Sequence, residues 1–163
     1  ASNFTTNRML IDYEDRFYYK LRDRKKEIVS GDYMMAREIA AWKRKVSAAW
    51  DKVKVVDVQR VKVDNEAIFV GSKYHFEVSV NVDNLSPEDI GVELVLANQI
   101  EFGHSANVLE TIELTKTKCE GSVVTYSLDY TPGHAGTFDY ALRIFPKNPR
   151  LPHRMDFALV KWA

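Results

Sequence analysis

The sequence predicts an α+β protein, with a helical segment over residues 1–52 and an antiparallel β-sandwich over residues 53–163. Three features predict it. Before residue 53, apolar side chains recur at helical spacing. From Val53 onward they alternate with polar ones at a period of two. Short clusters of turn-forming residues then separate the alternating runs at regular intervals.

In the helical part, Met9, Tyr13, Phe17 and Leu21 recur every four residues, and Leu10 and Tyr18 widen the stripe. Thr5 is placed to cap this helix, its hydroxyl accepting an otherwise unsatisfied backbone N–H. Phe4 and Met9 occupy the positions of a hydrophobic staple. Lys20, Arg22, Arg24, Lys25 and Lys26 crowd the far part, where cations complement the helix dipole. The triplet "SGD" at 30–32 breaks the helix. Asp32 is expected to cap a second helix carrying Met35, Ile39, Trp42, Val46 and Trp50 on one face. So short a connection favours an antiparallel helical hairpin.

In the β part, "KYHFEVSVNVD" puts Tyr74, Phe76, Val78, Val80 and Val82 on one face and His75, Glu77, Ser79 and Asn81 on the other. "VVTYSLDY" repeats the pattern with Val124, Tyr126, Leu128 and Tyr130. "TFDYALRIF" repeats it with Phe138, Tyr140, Leu142 and Ile144. Further strands are expected over 53–63, 66–70, 90–97, 107–116 and 156–162. Adjacent Val55 and Val56 break the alternation, so the first strand should carry a bulge or change face. Ser86 before "PED" reads as a capped helical turn with Pro at its first position. Seven or eight short strands spaced this way indicate an immunoglobulin-like sandwich.

Composition narrows the function. Apolar residues are 45% and charged residues 28% of the 163-residue chain, an ordinary globular balance. The 23 Lys and Arg equal the 23 Asp and Glu. A nucleic-acid binder is disfavoured, because its affinity comes largely from excess positive charge on phosphates. The runs "RDRKK" and "KRK" read as solvated helix faces. No apolar run is long enough for a membrane span. The N-terminus has no signal-peptide core and no initiator Met, so the chain is expected to begin within a longer protein. The single Cys119 fits a reducing, cytoplasmic setting.

No catalytic, cofactor-binding or metal-ligating residue is assigned. His75, His104, His134 and His153 form no metal-binding spacing. His75 reads as a solvated strand residue and His134 as part of a glycine-flanked turn. No dinucleotide, P-loop or nucleophile-elbow motif occurs. Trp42, Trp50 and Trp162 are expected to be packed. The ending "RIFPKNPRLPHRMDFALVKWA" interleaves Pro146, Pro149 and Pro152 with Lys147, Arg150, His153 and Arg154. Proline holds backbone extended and removes donors, so this stretch reads as a stiff crossover delivering a last strand.

Several of these stretches together resemble one family. "FTTNRMLIDYEDRFYYKL" is similar to the final helix of the shorter bacterial and archaeal α-glucan (glycogen/maltodextrin) phosphorylases, through Thr6, Arg8, Met9, Tyr13, Phe17 and Tyr18. "NLSPEDIGVELVL", the run at 136–151 and the ending "FALVKWA" resemble that family's C-terminal sandwich. The resemblance implies a C-terminal fragment, inactive alone, that supports or orients the upstream catalytic lobes of the same polypeptide, or contacts long α-glucan chains weakly. The full enzyme would use pyridoxal phosphate to cleave α-1,4-glucan with inorganic phosphate, giving glucose 1-phosphate. Its cofactor lysine belongs to motifs upstream of Phe4, and no lysine here inherits that role. The alternative is an independent immunoglobulin-like module binding carbohydrate or protein.

Overall fold

A computed structural model describes residues 5–61, 71, 73–98, 107–133 and 138–163. Phe4, His104, His134 and the expected strand at 66–70 lie outside the described residues. The chain separates into two compact units, one up to Arg44 and one from Lys45 on.

The first unit is helical. α1 (Thr6–Tyr13) leads through a π-helical segment (Glu14–Tyr18) into α2 (Tyr19–Ala49). Thr5 caps α1 as expected, its Oγ1 accepting the Arg8 N–H at 3.3 Å. The π segment has a cause in the sequence. Apolar residues exactly four apart drift about 40° per repeat around an α-helix of 3.6 residues per turn, and a wider π turn takes up that drift. Tyr13 and Phe17 therefore stay stacked along one face, their ring centroids 5.9 Å apart.

α2 is broken where "SGD" predicts. Ser30 is extended, and Gly31, Asp32 and Tyr33 are all left-handed, with φ of 60°, 55° and 59°. The break reverses the chain, for Arg24 Nη1 reaches Met35 Sδ at 3.4 Å. A straight helix would separate those residues by about 16 Å along its axis. The predicted hairpin is present, but the role expected of Asp32 is not. A capping residue is extended, whereas Asp32 sits inside the turn and its carboxylate pairs with Arg37 at 3.0 Å.

The second unit holds two four-stranded antiparallel sheets. Their strands are β1 (Lys54–Val61), β2 (Tyr74–Asn81), β3 (Ile90–Asn98), β4 (Val108–Glu113), β5 (Thr115–Glu120), β6 (Val123–Tyr130), β7 (Phe138–Pro146) and β8 (Lys161–Trp162). One sheet has the order β1-β2-β6-β5 and the other β4-β3-β7-β8. Lettered along the chain, with β4 as C′, this is the ABED and C′CFG order of an immunoglobulin-like sandwich. The sheets meet where Phe76 of β2 packs edge-on against Tyr140 of β7, centroids 5.6 Å apart.

Period-two reading placed the middle of the core correctly and overreached at the strand ends. Phe76, Val78, Val80, Val124, Leu142 and Ile144 are all essentially inaccessible, whereas Leu128, Tyr130 and Phe138, nearer the strand ends, are half-buried and Tyr140 is exposed. β1 has its bulge, between Val55 and Asp57. Ser86 accepts from the Glu88 N–H while Asp89 accepts from the Ser86 N–H, completing the expected cap.

Three expectations need correction. The strand expected over 107–116 is two, because buried Leu114 donates its N–H to Val92 O and carries the chain from one sheet to the other. The strand expected over 156–162 is a 3-10 turn (Arg154–Phe157) and a two-residue strand. Trp162, expected to be packed, is 57% exposed, because so short an edge strand gives it only one flank.

Lys45–Ala49, the last turn of α2, belongs to the sandwich. Val46 and Ala49 are buried, as are Trp50 and Val53 beyond them. Lys161 of β8 faces this junction. Its Nζ donates to the carbonyls of Val53 (2.6 Å) and Asp51 (3.3 Å) and lies 5.8 Å from the Trp50 ring centre.

Candidate functional site

Three surfaces carry organised chemistry, two on the sandwich and one on the helical unit. The first lies on the outer face of the β4-β3-β7-β8 sheet. Every described side chain of β3 from Ile90 to Ala97 is buried, including Glu93 at 1% exposure. A buried carboxylate needs paired, hydrogen-bonded partners. Glu93 has two: Arg143, directly opposite on β7, takes one oxygen, and Arg154 takes the other.

The same two arginines stack on aromatic rings, Arg154 on Phe145 at 4.6 Å and Arg143 on Trp162 at 5.7 Å. Phe145 in turn lies on Gly91, where a Cβ would stand 2.5 Å from the ring. The proline-rich basic strip is thus folded down on its own sheet. A cavity of about 190 Å³ beside it is lined by Glu113, Phe145, Pro146, Lys147, Asn148, Pro149, Leu151 and Arg154. Its cations are engaged, Lys147 by Glu113 and Arg154 by Glu93.

The second surface is at the opposite end of the strands. Leu96, Leu109, Glu110, Tyr130 and Phe138 line a cavity of about 300 Å³. It opens where β1, β3 and β6 end and β2, β4 and β7 begin. The Tyr130 hydroxyl donates to Glu110 Oε2 at 3.3 Å. Partial burial, then the Glu110 carboxylate, pushes the Tyr130 phenol up from its ordinary value, so it stays protonated.

The third surface is the face of α1 and its continuation. Met9, Leu10, Tyr13, Phe17, Tyr18 and Leu21 along that stripe are each between 47% and 64% exposed. Contiguous apolar exposure of this kind marks an interaction surface.

The histidines take modest places. His75 Nδ1 lies 2.7 Å from Asp129 Oδ1 on the outer face of the other sheet, and Lys73 shares that carboxylate at 2.7 Å. Lys73, then His75, holds the Asp129 carboxyl below its usual range. No nucleophile accompanies the pair in the described contacts. His153 Nδ1 accepts the Met155 N–H and caps the 3-10 turn. Among the described residues no three His, Cys, Asp or Glu side chains group as metal ligands, and no helix is long and apolar enough to cross a membrane. Sequence reasoning missed Glu93, whose signal was a lone charge inside "IGVELVLA", and the Glu110–Tyr130 pair, which only the fold brings together.

The fold defines a two-sheet antiparallel β-domain with immunoglobulin-like strand order, preceded in the chain by an amphipathic helical segment. The chain belongs to the glycogen phosphorylase C-terminal domain family, which matches residues 50–163. It is 32% identical to the maltodextrin phosphorylase of Thermococcus litoralis over 99% of its length, covering 19% of that protein. It is 25% identical to the glycogen phosphorylases of Mycobacterium tuberculosis and Mycobacterium bovis over 96% of its length, covering 18% of each. The chain therefore spans about a fifth of the length of these relatives.

Proposed function

We propose that this chain is the C-terminal part of an α-glucan phosphorylase. The parent enzyme cleaves the terminal α-1,4-glucosyl unit with inorganic phosphate and releases glucose 1-phosphate. The sandwich is an accessory domain, and the exposed face of α1 packs on the catalytic lobes that precede it in the same polypeptide. One observation carries the reading. The likeness to phosphorylases extends beyond the sandwich through the helical unit, and that unit leaves the apolar stripe of Met9, Leu10, Tyr13, Phe17, Tyr18 and Leu21 exposed.

Pyridoxal phosphate would supply, in the parent, the phosphate group that assists attack on the glycosidic bond. The two cavities described above do not fit that cofactor. Lys147, beside the outer cavity, is paired with Glu113, and Lys161 is held by two backbone carbonyls. The inner cavity presents a carboxylate where a phosphate cradle needs donors. The cofactor site lies in the rest of the enzyme.

The test is phosphorolysis of maltoheptaose by a polypeptide that joins this chain to its catalytic lobes. Phe17→Asp with Leu21→Asp on the apolar face should reduce soluble, active enzyme severely while the sandwich keeps its own unfolding transition. Full activity in that variant, or phosphorolysis by the 163-residue chain alone, would overturn the assignment.

A further inference from the structure

The cavity between the two sheets has a composition that selects its ligand. Its walls are Leu96, Leu109 and the rings of Tyr130 and Phe138, and its polar groups are the Glu110 carboxylate and the Tyr130 hydroxyl. Glu110 is directly opposite Leu96 in the β3–β4 ladder, so it stands on the core-facing side of the sheet, at the open end. Tyr130 ends the facing sheet, and Phe138 begins β7 beside β3. Its volume of about 300 Å³ is at the lower bound for small-molecule sites, and its apolar walls with few convergent polar groups are their usual form.

Charge decides among ligands. The described lining holds one carboxylate and no cation. An anion such as a sugar phosphate would face Glu110 without compensation and is disfavoured. A neutral polyol fits on both counts. Its hydroxyls donate to Glu110, Tyr130 accepts or donates, and its C–H faces lie on the two rings. The raised Tyr130 phenol keeps its proton through the neutral range, so the polar end stays a donor–acceptor pair.

We propose that this cavity is a glucan subsite, holding one or two α-linked glucosyl units by the rings of Tyr130 and Phe138 and the carboxylate of Glu110. The identity of the polyol rests on the phosphorylase reading above. The subsite lies on the accessory domain, so it retains a long glucan without taking part in bond cleavage. Affinity is low, because only two rings and two polar groups are on offer.

The probe is maltotetraose, titrated into the 163-residue chain and followed by amide shifts and by calorimetry. Shifts should centre on Leu96, Leu109, Glu110, Tyr130 and Phe138. Tyr130→Ala and Phe138→Ala should each weaken binding about three- to tenfold, the range for loss of one ring contact. Glu110→Gln changes an exposed position that leaves the core intact, and it should weaken binding while the unfolding midpoint stays put. Glucose 1-phosphate should bind more weakly than maltotetraose.

No shift at the solubility limit of the sugar would overturn the proposal. So would shifts confined to the helical face, or tighter binding of tetramethylammonium, since a ring-and-carboxylate pocket can also hold a cation. The phosphorolysis assay separates this failure from failure of the assignment. An active joined enzyme carrying a chain that ignores maltotetraose would remove the subsite and keep the phosphorylase reading.

Discussion

Replacing Glu93 by Gln keeps the shape of the side chain and removes its charge. Glu93 is 1% exposed, while the side chains of Arg143 and Arg154 are 24% and 40% exposed. Removing one partner of a fully buried ion pair costs about 3–5 kcal/mol, mostly because the remaining charge is stranded. Here both stranded guanidiniums retain some water, and both keep their stacking on Phe145 and Trp162. The amide oxygen of Gln still accepts one hydrogen bond. The expected loss is therefore below that range, about 2–3 kcal/mol.

For a unit of this size 1 kcal/mol moves the midpoint by about 3–5 °C, so Glu93→Gln should lower it by about 6–15 °C. The assay is calorimetric unfolding of the 163-residue chain, with Glu88→Gln as control. Glu88 pairs with Lys116 in full view of solvent, so its loss should move the midpoint far less than the loss of Glu93. The difference between the two variants should survive 0.5 M salt, because burial shields the Glu93 cluster from screening. A Glu93→Gln midpoint within about 2 °C of the parent chain would refute the view that this cluster holds the C-terminal strip to the sheet.

Gly91→Ala should cost about 1–3 kcal/mol in the same assay, because the new methyl would meet Phe145 Cζ at 2.5 Å and the ring can shift only by lifting Arg154 with it; an unchanged midpoint would show that the ring is not seated there. Stability should also fall at high pH. Burial, then the nearby Cys119, Glu88 and Glu113, raises the Tyr126 phenol well above its ordinary value of 10.0. The folded state then holds that proton more tightly than the unfolded one. Its contribution is complete below pH 10 and declines as pH rises further. Tyr126→Phe should flatten that alkaline decline in pH-dependent denaturation, and an unaltered slope would contradict the assignment of burial as the cause.

The parts of the fold visible in the sequence are those set by local periodicity. Alternation along "YHFEVSVN" and "VVTYSLDY" gave both the strands and their buried faces, and the adjacent valines gave the bulge. The Ser86 and Thr5 caps were legible because each needs only residues within one turn. What sequence hid is what depends on pairing at a distance. Leu114 reads as one more residue of a β run, yet it is the point where the chain changes sheets. Glu93 reads as a polar interruption until β7 brings Arg143 opposite it, 50 residues later. The cavity at the open end of the sandwich was illegible for the same reason: Glu110, Tyr130 and Phe138 sit on three strands from two sheets.

The C-terminal strip shows how one feature can look like a binding surface and act as a fastening. Read alone, Lys147, Arg150, Arg154 and Lys161 suggest a site for anions. In the fold, Arg154 meets a buried carboxylate, Lys147 an acidic neighbour on β4, and Lys161 the carbonyls that follow the last turn of α2. Each cation spent this way fixes a different part of the sandwich: the outer face of β3, the rim at β4, and the entry from the helix. A strip with three prolines cannot satisfy the sheet by backbone pairing along its length, so side-chain charges replace the missing ladder.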